Sequence, residues 1–118
     1  MLNQPHTGVW RIPFVQRCDL ETGRGPIEGL VCNLGTRGAY VSLDDVPELR
    51  ERVRISFPFP GTDLRLSVEA EVAWRNSRQA LLAKALPPGC GLKFVTLSPT
   101  DEGRIRELVR VYRSQKAH

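Results

Sequence analysis

The chain has 118 residues, 41% hydrophobic and 25% charged, with seventeen basic against thirteen acidic side chains and a formal net charge of +4. That length suits one domain of globular composition, and the modest positive charge favours anionic ligands or surfaces without by itself making a nucleic-acid binder. The three cysteines (Cys18, Cys32, Cys90) form no C-x-x-C or Cys/His cluster, which argues against a zinc site or a disulfide framework. With no signal-like segment and no long apolar run, the expectation is a reduced, soluble, cytoplasmic protein without membrane insertion.

Residues 1–9 carry a proline and a glycine but no periodicity and read as a flexible lead-in to a single domain over 10–118. A first strand enters at Arg11. Phe14, Cys18 and Leu20 share one face, Gln16 interrupts that apolar series, and Arg17 falls on the other face. Gly23-Arg24-Gly25-Pro26 is a turn signal, so a hairpin leads into a second strand over 27–32. An Asn/Gly-rich turn from Asn33 to Gly38 follows, and alternation restarts with Ala39, Val41 and Leu43 against Tyr40 and Ser42. The glycines at 35 and 38 are expected to supply backbone angles closed to other residues, leaving the turn's N–H groups and the Asn33 amide to meet something small and polar.

Residues 44–52 read as a loop or one helical turn. Val53, Ile55, Phe57 and Phe59 then alternate up to the Pro58-Phe59-Pro60-Gly61 stop. The cleanest period-two signal sets Leu66, Val68, Ala70, Val72 and Trp74 against Ser67, Glu69, Glu71, Ala73 and Arg75, as in an antiparallel sheet with one solvated face. Residues 76–88 fit either a strand edge or a helical turn, and Cys90, Leu92 and Phe94 alternate once more around Lys93. Ser98-Pro99-Thr100-Asp101 marks a helix start, with the helix from about 99. Ile105, Leu108, Val109 and Tyr112 make one apolar stripe along it. Short strands with regular turns and one closing helix describe a small, mostly β antiparallel barrel or sandwich.

Little here carries catalysis. The histidines, His6 and His118, lie near the chain ends, so no Ser-His-Asp or Cys-His set assembles from ordered positions. Asp44/Asp45 sit in a loop and Glu69/Glu71 on a solvated strand face. Gly35-x-x-Gly38 alone is weak evidence for phosphate binding. The expectation is no enzyme, no catalytic residue, no metal and no cofactor. What is left is chemically coherent: Arg11 and Arg37 offer planar parallel donors suited to phosphate or a guanine edge, and the Asn33 amide can pair with a purine edge. The plain alternative is that Asn33 and Gly38 merely build a tight turn and Arg11 is a solvated flank.

In order, Arg11-Ile-Pro-Phe, Asn33-x-Gly35-x-x-Gly38-Ala-Tyr-Val, Val72-Ala-Trp74, Gly89-Cys-Gly91-Leu-x-Phe94 and a terminal helix resemble a PilZ domain over about residues 10–113. That resemblance implies a six-stranded antiparallel β-barrel with a C-terminal helix, and a non-enzymatic bacterial signalling module that commonly binds cyclic di-GMP. It also implies the ligand set Arg11, Asn33, Gly35 and Gly38. The family's signature is an R-x-x-x-R entering the first strand and a [D/N]-x-S-x-x-G at the turn after the second. Here Arg11 matches the second arginine, Asn33 the D/N and Gly38 the last glycine. Thr7 stands at the first arginine and Gly35 at the serine.

A lost arginine clasp is worth roughly 1.5–3 kcal/mol, or about one to two decades of affinity. Arg17 and Arg37 are the candidates to compensate. Further R-x-x-x-R matches at Arg50/Arg54 and Arg106/Arg110 lie downstream of the turn and read as chance. The alternative within the family is a ligand-independent adaptor for another protein, as in pilus or motility machinery, using the apolar Leu81-Leu82…Leu86 stretch as its contact. A third function class, a basic barrel on single-stranded nucleic acid, needs exposed aromatic platforms. Phe14, Phe57, Phe59, Trp74 and Phe94 all fall on the inward face, leaving Tyr40 and Trp10.

Overall fold

A computed structural model of the chain describes residues 11–116; the lead-in of residues 1–9, Thr7, Trp10, His6 and His118 lie outside the described residues. The alternating segments become strands β1 (Arg11–Thr22), β2 (Gly25–Gly35), β3 (Gly38–Ser42), β4 (Arg52–Pro58), β5 (Arg65–Asn76) and β6 (Gly89–Phe94), followed by helix α1 (Pro99–Lys116). Every pairing is antiparallel, in the order β1-β2-β3-β6-β5-β4, and β4 returns to β1 to close the barrel. The closing seam is short, with Asp19, Leu20 and Glu21 set against Ser56, Ile55 and Arg54. Because β6 is inserted between β3 and β5, residues 43–51 must cross from β3 to β4. They do so as irregular turns, with Arg50 in the left-handed region at φ 70°, and not as a helical turn.

The interior is the apolar face of the period-two pattern. Leu20, Val31, Ile55, Phe57, Leu66, Ala70 and Val72 are fully buried, joined by Cys18, Cys90 and Leu92. A buried aliphatic or phenyl side chain contributes about 1.5–3 kcal/mol, so these positions dominate stability. Phe14 is half-buried and packs on the core against Phe57, ring centroids 5.6 Å apart. α1 closes the barrel with Ile105 and Val109 buried and Leu108 and Tyr112 packed beside them. Its start is capped as the sequence implies, with the Asp101 N–H donating to Ser98 Oγ at 3.0 Å.

Two aromatic expectations change. The register shifts between Val72 and Trp74, so one extra residue in β5 moves Trp74 opposite Gly91 and onto the outer face. A Cβ at Gly91 would run into the Trp74 indole, so the ring lies flat on bare backbone. Tyr40, read as a free outer aromatic, is fully buried: its ring lies 5.3 Å from Trp74, and residues 77–88 fold over it. That stretch is neither a strand edge nor a helical turn. It is an ordered loop with one bridge, Ser77 to Ala80.

Candidate functional site

Arg11 opens β1 opposite Gly35, the last residue of β2. In β2, Val31 faces the core, so strict alternation would send Asn33 inward as well. A bulge between Val31 and Asn33 adds one residue, and Asn33 is set opposite Tyr40 on the outer face instead. The two side chains meet there. Arg11 Nη1 donates to Asn33 Oδ1 at a long 3.4 Å, and the same oxygen accepts from the Tyr40 N–H at 3.2 Å. Asn33 thus holds both the guanidinium and the start of β3, and its amide nitrogen is left to point away from them.

Gly38 lies beside this pair, but for a reason other than the one expected. Neither Gly35 nor Gly38 adopts positive φ; among the described residues the glycines that do are Gly25 and Gly61. Gly38 is required by close approach: a Cβ there would run into the Leu92 carbonyl oxygen and lie 3.4 Å from Arg11 Nη2. Arg11 therefore lies along bare backbone. Burial pulls its pKa below the ordinary arginine value, and no carboxylate accompanies it among the described residues. A half-buried guanidinium without a counter-charge is favourable ground for an anion.

The two auxiliary arginines separate. Arg17 pairs with Leu30, six residues along β1 from Arg11, or about 17–20 Å at strand rise. It lines a different open groove of about 530 Å³ with Asp19, Glu28 and Arg65. Arg37 is exposed at the tip of the β2–β3 turn and lines a cleft of about 420 Å³ with Thr36, Lys93, Leu97, Glu102 and Arg106. Lys93 was not singled out from the sequence. It faces out of β6 directly opposite Gly38, and the available signal was that it is the one charged residue in that strand.

Arg50/Arg54 and Arg106/Arg110 lie in other elements and are engaged by Glu71, Ser67, Glu102 and Glu107. Among the described residues no group of three or more His, Cys, Asp or Glu is placed to hold a metal, and no helix is long and apolar enough to cross a membrane. Burial pushes the Cys18 and Cys90 thiols up to about 12, which makes them poor nucleophiles.

A family model described as PilZ domain matches residues 9–110. Among solved structures, the chain is similar to the Bacillus subtilis inhibitor of motility MotI/DgrA, at 16% identity and a TM-score of 0.78 over 98% of this chain and 55% of that one. It is similar to YcgR from Escherichia coli, solved in complex with c-di-GMP, at 14% identity and a TM-score of 0.74 over 94% of this chain and 47% of that one. The PilZ domain of YcgR with c-di-GMP matches at 14% identity and a TM-score of 0.67 over 97% and 98%. The chain thus spans about half the length of the first two proteins, and identities this low establish a shared fold. No curated protein matches the sequence.

Proposed function

The chain belongs to the PilZ domain family, and we propose that within it this protein is a non-enzymatic signalling module that binds cyclic di-GMP and acts on another protein. The observation that carries this reading is the Arg11–Asn33 contact beside the bare backbone of Gly38. A half-buried guanidinium that lacks a carboxylate among the described residues, with the Asn33 amide beside it and the close-packed Gly38 backbone beneath it, suits a purine nucleotide with an anionic phosphate. Two of the similar structures contain c-di-GMP, and one is of a protein named for inhibiting motility. Arg11, Asn33, Gly35 and Gly38 are the proposed ligand contacts, with Arg37 auxiliary to them.

Titration calorimetry with cyclic di-GMP tests this. Binding in the micromolar range that weakens about tenfold or more in Arg11→Ala and in Asn33→Ala is expected. No heat at high ligand concentration would sink the reading.

A second reading, a ligand-independent adaptor, is favoured by Leu82, which is 74% exposed in a loop held rigidly from beneath. An exposed leucine that cannot fold back is suited to a partner's apolar pocket. If this reading holds, Leu82→Asp abolishes recovery of the same partner in pull-downs done with and without nucleotide. Retention of that partner by the variant would exclude this loop as the contact.

A further inference from the structure

The outer face carries a transverse row of residues that the sequence order hides. Arg11 of β1 stands opposite Gly35 of β2, and Gly38 of β3 stands opposite Lys93 of β6. Leu34 and Ala39 are the neighbouring pair just inside the β2–β3 turn, so Gly35 and Gly38 lie side by side where that hairpin closes. The row is therefore cation, glycine, glycine, cation. It spans three strand spacings, about 14 Å between the two outer backbones. Both glycines are buried, and the Arg11 side chain lies over them, with Nη2 3.4 Å from where a Gly38 Cβ would stand, so its guanidinium comes to the strand that faces Lys93.

The charges on this row are available. Lys93 is exposed and makes no ion pair among the described residues. Its cross-strand neighbour Glu71 is approached by Arg50 at 3.8 Å instead. Arg37, which lines the same cleft as Lys93, likewise lacks a carboxylate, whereas Arg106 in that cleft is bound to Glu102 at 2.7 Å. Among the described residues Arg11, Arg37 and Lys93 thus stand about the closing end of the β2–β3 hairpin without a carboxylate, while Arg17 stands well away on β1.

We propose that Lys93 forms the second cationic wall of the nucleotide site, so that the ligand lies over the Arg11 side chain and reaches β6, with anionic groups toward both the Arg11 guanidinium and Lys93. In this arrangement Lys93, assisted by Arg37, does from β6 what the arginine absent at position 7 would otherwise do from the N-terminal segment. A ligand with two separated phosphates uses both walls, and one with a single phosphate uses only one. The inference rests on the cyclic di-GMP reading above and assigns that ligand a specific orientation.

The test is calorimetric titration of cyclic di-GMP into the wild type and into Lys93→Gln, Lys93→Arg and Arg17→Gln. Lys93 is exposed, so thermal melts of its variants should match the wild type and separate binding from folding. The expected result is about tenfold weaker binding in Lys93→Gln, recovery to within about threefold in Lys93→Arg, and no change in Arg17→Gln. Wild-type binding that Lys93→Gln leaves intact overturns this inference alone. A wild type that gives no heat overturns the nucleotide reading, and this inference with it. Loss of affinity in Arg17→Gln equal to that in Lys93→Gln also overturns it, because a diffuse field would then account for both.

Discussion

Asn76 is fully buried on the outside of the barrel, a position where a polar side chain must be completely satisfied or become a liability. Its Oδ1 accepts the N–H groups of Leu82 at 2.7 Å and Ala83 at 2.8 Å. Its Nδ2 donates to the Ala83 carbonyl at 3.0 Å and to Tyr40 Oη at 3.1 Å. Tyr40 in turn donates to the Pro87 carbonyl at 2.6 Å. One amide therefore fastens residues 77–88 over Tyr40 and Trp74. Replacing it leaves the Leu82 and Ala83 N–H groups without their acceptor, each worth up to about 1–3 kcal/mol, less what water recovers as the loop opens. Asn76→Ala should lower unfolding free energy by about 2–4 kcal/mol in urea titrations and expose residues 77–88 to limited proteolysis. Unchanged stability and protection would show that the loop is held by its apolar contacts alone.

Among the elements, the bulges are what distinguish this barrel from a regular one. β1, β2 and β5 each carry an irregularity, between Pro13 and Gln16, Val31 and Asn33, and Val72 and Trp74. Such insertions bend strands and help a small sheet to close. Their local effect is larger: in β2 and β5 the face assignment of every later residue reverses. Asn33 reaches Arg11 only because of the first reversal, and Trp74 and Asn76 reach Tyr40 only because of the second. The β2–β3 hairpin thereby serves both surfaces. Asn33 receives the Tyr40 backbone N–H, while the Tyr40 side chain anchors the loop that displays Leu82. The candidate nucleotide site and the candidate protein-contact loop are attached to one strand.

At the scale of the whole molecule, ionisation is coupled to folding through the thiols. Desolvation raises both Cys18 and Cys90 to about 12, against an ordinary value of 9.0, and raises Cys32 and Tyr40 in the same direction. The unfolded chain releases these protons near their ordinary values, while the native barrel retains them. Stability from these groups is therefore fully present below about pH 9 and is lost as pH rises toward 12, at up to about 1.4 kcal/mol per pH unit for each thiol. Urea midpoints measured between pH 8 and pH 11 should fall progressively, and the slope should be shallower in Cys90→Ala even though its starting stability is lower. A flat profile above pH 9 would show that the thiols are not buried in solution as they are here.

The sequence by itself determined the strands, the capped helix and a mostly β antiparallel architecture, barrel or sandwich, because those depend on period-two burial, glycine and proline punctuation, and a serine cap, all of them local; the closed barrel was what the family resemblance implied. It also marked Arg11, Asn33 and Gly38, since few residue types provide a planar cation, an amide edge and a bare backbone. Four things were decided only by tertiary structure: the outward placement of Asn33, the burial of Tyr40, the clasp at Asn76, and Lys93 opposite Gly38. Two physical reasons account for them. A single bulged residue has no compositional signature yet reverses the face of everything after it, and cross-barrel neighbours are set by strand order, which places β6 against β3 across some fifty residues of chain.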